Sequence, residues 1–319
     1  MQKNTNLNTA KRNKNDEFYT QLEDIEKELA CYDVSNFQGK VIYCNCDDYR
    51  FSNFCKCFKD NFEYFGIKKA MATNYDIGDG AYKWEYDGEN ETIIKLEGNG
   101  SFNSEECIAY LEEADVVVTN PPFSLFRAYV KQLMDYNKKF LIIGNLNAVT
   151  YKEIFPFIKD NQLWLGYTYF QGGAAYFVGR KDLFDAEKIS NSKHAYIKDD
   201  KLYWRVNGVR WFTNIEHEKH QSPIDLYKKY NEAEFPKYDN YNAIEVSKVS
   251  DIPIDYDGVM GVPISLLDKY CPTQFEIVDA REYGLNDRQR NKSTMLIKDA
   301  VSAINGKPTY ARIAIKRIS

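Results

Sequence analysis

The sequence predicts an α/β fold, a parallel sheet covered by helices on both faces, followed by a C-terminal region of different character. Three observations carry this. Apolar runs of strand length alternate with amphipathic stretches across residues 21–158. The runs are apolar at successive positions, as in VIYC (41–44) and VVV (116–118), which suits strands buried on both faces. After about residue 160 the alternation gives way to Gly-flanked aromatic runs and then to a polar, Tyr-rich stretch.

Taken in order, residues 1–14 form a polar arm. Leu22, Ile25 and Leu29 recur at helical spacing within 21–31. KVIYCNC (40–46) reads as the first strand, 52–66 as a helix that stops at Gly66, and KKAMATNY (68–75) as the second strand. Residues 76–91 read as an insertion or hairpin, and TIIKLEG (92–98) as the third strand. A helix over 104–114 starts at Ser104, whose hydroxyl suits an N-cap, with Glu105 and Glu106 in the first turn. A strand over 115–120, a helix over 124–137, a strand over 138–145 and a short helix over 147–158 complete the series. Beyond it, 162–170 and 173–179 read as antiparallel strands about Gly172-Gly173. Residues 202–215 read as a hairpin turning at Asn207-Gly208. Residues 262–278 and the alternating strand 310–318 resume order.

Composition excludes several classes. With 44% hydrophobic and 28% charged residues the chain is ordinary globular material able to bury a core. No run reaches the ~20 apolar residues of a membrane span, and MQKNTNLNTAKRNKN lacks the apolar stretch of a secretory signal. A cytoplasmic location is the expectation. The seven cysteines are odd in number and need no disulfide framework. Cys44/Cys46 and Cys55/Cys57 lack the two-to-four-residue spacing that structural zinc prefers. Glu216-His217-Glu218-Lys219-His220 reads as a solvated surface turn, so no metal is expected. The net charge is −5, yet Lys3, Lys11, Arg12 and Lys14 stand in an arm without acids. Residues 281–319 hold nine bases against three acids. Such ends suit phosphate neutralisation.

The chemistry concentrates in ADVVVTNPPFSLF (114–126), where a strand runs directly into Asn120-Pro121-Pro122-Phe123. Two prolines fix φ and contribute no N–H, so the corner is rigid. It stands at the carboxyl end of a strand, where open α/β sheets bind ligands. An exocyclic aryl amine is a poor nucleophile because its lone pair is delocalised into the ring. Two acceptors on its hydrogens, the Asn120 side-chain oxygen and the Pro121 carbonyl, draw the nitrogen toward tetrahedral geometry. Phe123 offers a face for a stacked base. From these residues alone the corner suits any planar amide or aryl amine, RNA or a protein glutamine included. A DNA-binding module without catalysis is the other class of reading, against which the intact corner argues.

Asn120–Phe123 resembles motif IV of amino-methyltransferases, and NSEECIAYLEEADVVVTNPPFSLF (103–126) resembles the EcoRI-like adenine-specific DNA methyltransferases. NDEFYTQLEDIEKEL (15–29), CNCDDYRFSNF (44–54), VRWFTNI (209–215) and VPISLLDKYCPTQFEIV (262–278) extend the resemblance along nearly the whole chain. It implies a Rossmann-like class I methyltransferase sheet, S-adenosylmethionine as methyl donor and methylation of adenine N6 at a specific DNA site. Double-stranded DNA is then the partner, with a cognate restriction nuclease as a functional one. By the same resemblance Phe18, Tyr19 and Thr20 touch the cofactor. Asn45, Cys46, Asp47 and Asp48 form the turn beside its methionine part, with Asp47 or Asp48 meeting the ammonium. Asn74 is placed near the ribose, and Asn99 near the cofactor's adenine amine. The first turn lacks the glycines common in methyltransferases, and Asn99 stands where relatives carry an acid.

Methylating adenine in a duplex requires the base to leave the stack. Residues 1–220 are expected to form the catalytic domain and 221–319 the target-recognition region. Arg205, Arg210, the arm and the basic C-terminal segment are expected to anchor the backbone.

Overall fold

The computed structural model describes residues 18–170, 174–179, 195–198, 201–239, 241–278, 303–308 and 312–318. The chain forms two compact units, Met1–Ala148 with Thr168–Ile215, and Val149–Tyr167 with Glu216–Ser319. Residues 149–167, read from the sequence as part of the catalytic domain, thus group with the C-terminal half.

In the first unit four strands run parallel: Lys69–Thr73, Val41–Asn45, Val116–Thr119 and Lys139–Asn145, side by side in that order. Val41–Asn45 is buried at every position, and so is Val116–Thr119. The apolar runs therefore do what their composition predicts. The chain passes from Val41–Asn45 first to one neighbour and later to the other. This creates a switch point between Asn45 and Thr119, where a crevice opens beyond the carboxyl ends.

Three expectations about the sheet are corrected. It is mixed, because Tyr82–Tyr86 and Glu91–Lys95 add to its edge as an antiparallel hairpin. The run read as a third parallel strand is thus the outer arm of that hairpin, and all five of its residues are exposed. Second, Lys201–Asn207 and Val209–Thr213 do not pair with each other across Asn207-Gly208. Val209–Thr213 pairs antiparallel with Lys139–Asn145, whereas Lys201–Asn207 pairs with Ala174–Gly179 and Ala195–Lys198. Gly208, at φ +70°, carries the chain from one sheet to the other. Burial of Trp211 and Phe212 in the main sheet outweighs the local hairpin signal. Third, Ala174–Gly179 pairs not with residues 162–170 but with Phe18–Tyr19 and Lys201–Asn207, in a four-stranded side sheet. Gly172 and Gly173 lie outside the described residues.

Helices Leu22–Leu29 and Asn53–Asp60 cover one face, their Ile25, Leu29, Phe54 and Phe58 joining the strand side chains in one core. Ser104 caps Glu105–Glu113 by accepting the Cys107 N–H at 3.2 Å, as predicted. The helix expected from 124 begins as a 3-10 turn over Phe123–Leu125 and becomes α-helical at Phe126–Asp135.

In the second unit Ala243–Glu245, Val259–Pro263, Arg312–Arg317 and Phe275–Ile277 form a four-stranded sheet in that order. His217 and His220 belong to this unit and are buried, not solvated as the sequence suggests. The His220 ring stacks on Trp164 at 4.2 Å and 8°, with Nε2 3.0 Å from Asn161 Oδ1 and Nδ1 3.0 Å from Glu216 Oε2. No cluster of three metal-ligating side chains occurs among the described residues, and none of the seven cysteines is in a disulfide. No helix of the described residues is long and apolar enough to cross a membrane.

Candidate active site

Beyond the carboxyl ends of the parallel strands, the first unit holds a hollow of about 1010 Å³, its open mouth included. It is lined by groups from three of the four strand ends. Cys46, Asp47 and Asp48 follow the Val41–Asn45 strand, Asn74 and Tyr75 follow Lys69–Thr73, and Asn120 and Pro122 follow Val116–Thr119. Asn99, Gly100, Ser101 and Phe102 close one side, and Tyr19 and Leu125 contribute from elsewhere in the unit.

The turn after the first strand solves its missing glycine with a cysteine. Cys46 adopts φ +70°, the left-handed region in which glycine is usual. Asp47 then points inward and is almost fully buried. Its Oδ1 accepts from Ser52 Oγ at 2.7 Å, its Oδ2 from Thr119 Oγ1 at 2.5 Å, and it also takes the Asn120 backbone N–H. Burial pushes this carboxyl up to about 7; the bonds from Thr119, Ser52 and Asn120 oppose that, and the neighbouring Asp48 charge adds to it. Asp48 faces Arg50 through bonds of 2.9 Å from Nε and 2.6 Å from Nη2. Arg50 also lies over the Phe51 and Tyr82 rings, at 5.5 and 5.6 Å.

Several predicted positions are therefore assembled in one place: Tyr19, Cys46, Asp47, Asp48, Asn74, Asn99, Asn120 and Pro122. Others are not. Asn45 is fully buried, and its Oδ1 accepts from Thr73 Oγ1 at 3.1 Å, so it joins two strands instead of facing the hollow. Thr20 is buried off the lining, its carbonyl taken by Asn53 Nδ2 at 2.7 Å. Phe18 is described through its backbone, paired with Gly179. The Pro121 and Phe123 side chains are not on the lining: Pro121 is buried, and Phe123 packs in part against the hydrophobic core. Asn74 lines the hollow with its amide engaged. Nδ2 donates to Gly80 O at 2.9 Å and Oδ1 accepts the Tyr82 N–H at 2.9 Å, which closes the loop between two strands.

Sequence reasoning missed Tyr75, Gly100, Ser101, Phe102 and Leu125. Gly100 carried a signal. A Cβ there would stand 1.9 Å from the Asn74 carbonyl, so the GNGSF segment can close the wall only through glycine. Of the predicted phosphate anchors, Arg312 is instead held by Glu245, with bonds of 2.9 Å from Nε and 2.5 Å from Nη2. Arg210 is half-buried, with Nη1 donating to the Val209 carbonyl at 2.9 Å. The arm and residues 281–300 lie outside the described residues.

The arrangement combines an inflexible amide-bearing corner, carboxylates, amide groups and aromatic faces around one cavity. Those donors, acceptors and rings suit a small molecule that is polar and in part aromatic. The family model described as adenine-specific methyltransferase EcoRI matches residues 6–318. The Type II methyltransferase M.EcoRI of Escherichia coli is 42% identical over 332 residues, covering 97% of this chain and 95% of that protein. The Type II methyltransferases M.MpnI of Mycoplasma pneumoniae and M.MgeORF184P of Mycoplasma genitalium are each 39% identical, covering 98% of this chain and 98% of their own. No solved structure matches the chain.

Proposed function

The chain belongs to the family of EcoRI adenine-specific methyltransferases, and from that premise we propose that it uses S-adenosylmethionine to methylate N6 of adenine at a specific site in double-stranded DNA. The observation that carries this reading is the common cavity. Asn120 and Pro122 share one hollow with Cys46, Asp47, Asp48 and Asn99.

When bound, the cofactor supplies an electrophilic sulfonium methyl group. The chain's part is to hold the amine. The Asn120 side-chain oxygen and the Pro121 carbonyl accept the two N–H bonds of the exocyclic amine, which localises its lone pair and stabilises the positive charge that grows on nitrogen. Direct displacement needs no covalent enzyme intermediate. The two prolines keep both acceptors fixed before the base arrives, so little reorganisation is spent at the moment of reaction. A base in a duplex must be extruded to reach such a corner. Residues 221–319 supply target recognition, and a cognate nuclease is the functional partner.

The test is Asn120→Ala, assayed by transfer of labelled methyl groups to DNA. Turnover falls at least ~100-fold, the scale of losing one preorganised polar group, while the protein remains folded by circular dichroism. Wild-type turnover refutes the assignment of the corner.

A further inference from the structure

The geometry points to Asp47 as a positioning residue, whose carboxylate fastens the turn after the first strand to the Asn120 corner instead of receiving the cofactor's ammonium. The inference rests on the reading that Asn120 grips the reacting amine.

Asp47 is the junction of three strand ends. Its own N–H donates to the Thr73 carbonyl at 3.0 Å, at the end of the second strand. Its Oδ1 accepts from Ser52 Oγ at 2.7 Å, and the same Ser52 oxygen caps helix Asn53–Asp60 by accepting the Phe54 N–H at 3.1 Å. Its Oδ2 accepts from Thr119 Oγ1 at 2.5 Å, and the carboxylate also holds the backbone N–H of Asn120 itself. An ionised carboxylate has about four acceptor directions, and three are taken by the scaffold. An ammonium group would have to displace the bonds that set the corner. Asp48 differs. Among the described residues its cationic partner is Arg50, whose side chain is 31% exposed and can exchange, which makes Asp48 the better match for an amino-acid end.

The linkage has a built-in dependence on protonation. The Thr119 hydroxyl has one proton and lies against both the Asn45 carbonyl and the Asp47 carboxylate. With Asp47 ionised, that proton is drawn to the carboxylate and the Asn120 N–H meets a full negative charge. With Asp47 protonated, the acid donates to the Thr119 oxygen, the Thr119 proton turns to the Asn45 carbonyl, and the Asn120 N–H is left with a neutral, weaker acceptor. Burial places this change near neutrality. The groups that bear on Asp47 are Asp48 on its own turn, the thiols of Cys44 and Cys46, and the Tyr129 hydroxyl from helix Phe126–Asp135. None of these is cationic, so none replaces the hydrogen bonds in stabilising the charge.

Wild type, Asp47→Asn, Thr119→Val and Asn120→Ala separate the possibilities. The measurements are kcat for methyl transfer to DNA at saturating substrates across pH 5.5 to 9 and the calorimetric Kd for S-adenosylmethionine. Wild-type kcat falls as pH drops through about 7, following Asp47. D47N loses roughly 10- to 100-fold in kcat, the scale of a misplaced reacting geometry, changes the cofactor Kd less than about threefold, and loses that pH dependence. T119V, which keeps the carboxylate but removes a bond favouring its ionised form, lowers kcat and moves the midpoint to higher pH. A mere packing role would not move that midpoint. The inference is overturned if D47N weakens the cofactor more than about tenfold at unchanged saturated kcat, since Asp47 would then be the ammonium ligand. It is also overturned if T119V leaves both kcat and midpoint at wild-type values, a result that decides the matter even where D47N fails to fold. Full activity of D47N and T119V beside an inactive N120A overturns this inference alone. Full activity of N120A overturns the reading of the corner as well.

Discussion

The backbone N–H of Ser101 donates to Oδ1 of Asn99 at 3.0 Å, which closes a tight turn on the rim of the cavity. That bond commits one lone pair of the oxygen and leaves an amide donor as the rest of the side chain. Asn99→Asp keeps the turn and adds a second acceptor oxygen on the cavity rim. We expect S-adenosylmethionine to bind about fivefold more tightly, roughly 1 kcal/mol for one improved polar contact. Isothermal calorimetry reads this directly, and an unchanged or weaker Kd shows that Asn99 does not meet the cofactor.

Gly100 combines φ +68° with the close approach of the Asn74 carbonyl, 1.9 Å from where a Cβ would stand. Backbone cannot rotate away as a side chain can. Gly100→Ala is expected to cost about 2–3 kcal/mol, from a left-handed non-glycine residue and a displaced strand end together. Denaturant melts give the loss, and cofactor binding falls with it because the wall moves. A melt indistinguishable from wild type contradicts this account.

Cys46 sits at φ +70°, where L-residues are strained by roughly 1–2 kcal/mol and β-branched ones by more. Cys46→Gly therefore leaves the melting temperature unchanged or raises it, whereas Cys46→Val lowers it. If both variants melt alike, the turn does not hold the left-handed conformation.

His217 is pushed down to about 4, mainly by burial, in the second unit. Its Nε2 lies 3.0 Å from the Leu165 carbonyl and its Nδ1 accepts the His220 N–H at 3.2 Å, so the neutral Nε2–H tautomer is the one that fits. The unfolded chain, near pH 6.5, binds the proton first. Stability from this group is full above about 6.5 and is lost as pH falls toward 4. Amide exchange across 216–222 should accelerate over that window in wild type. The acceleration should be much reduced in His217→Gln, which has no ring to protonate. Equal pH slopes in the two proteins would exclude His217 as the source.

The parallel strands were legible because burial on both faces leaves an apolar run in the sequence, and Val116–Thr119 leading into Asn120 announces itself. Glu91–Lys95 deceived for a related reason. Ile93 and Ile94 imitate a buried strand, yet the segment is an exposed sheet edge. Asn207-Gly208 has the composition of a hairpin turn, but pairing is decided by which surfaces Trp211 and Phe212 can cover, and that information is not local. In the site, Asn120 was identifiable from its own chemistry, whereas Asp47, Asp48 and Asn99 were reached through the family resemblance. Tyr75, Phe102 and Leu125 were reached by neither, since aromatic and aliphatic side chains carry no mark of facing a ligand over facing the core. Phe123 shows the converse. Its place beside Pro122 suggested the cavity, and the 3-10 turn that begins there directs it partly to the core.

Tyr19 stands in the cavity wall while its backbone is paired to Val178, from a strand far downstream. A nascent chain emerging from the ribosome can fold the first parallel strands and even present Asn120 before that partner exists. Its chamber stays without one side until the 174–179 segment has been synthesised. A fragment ending near residue 150 would therefore carry the Asn120 corner yet lack the strand that anchors Tyr19.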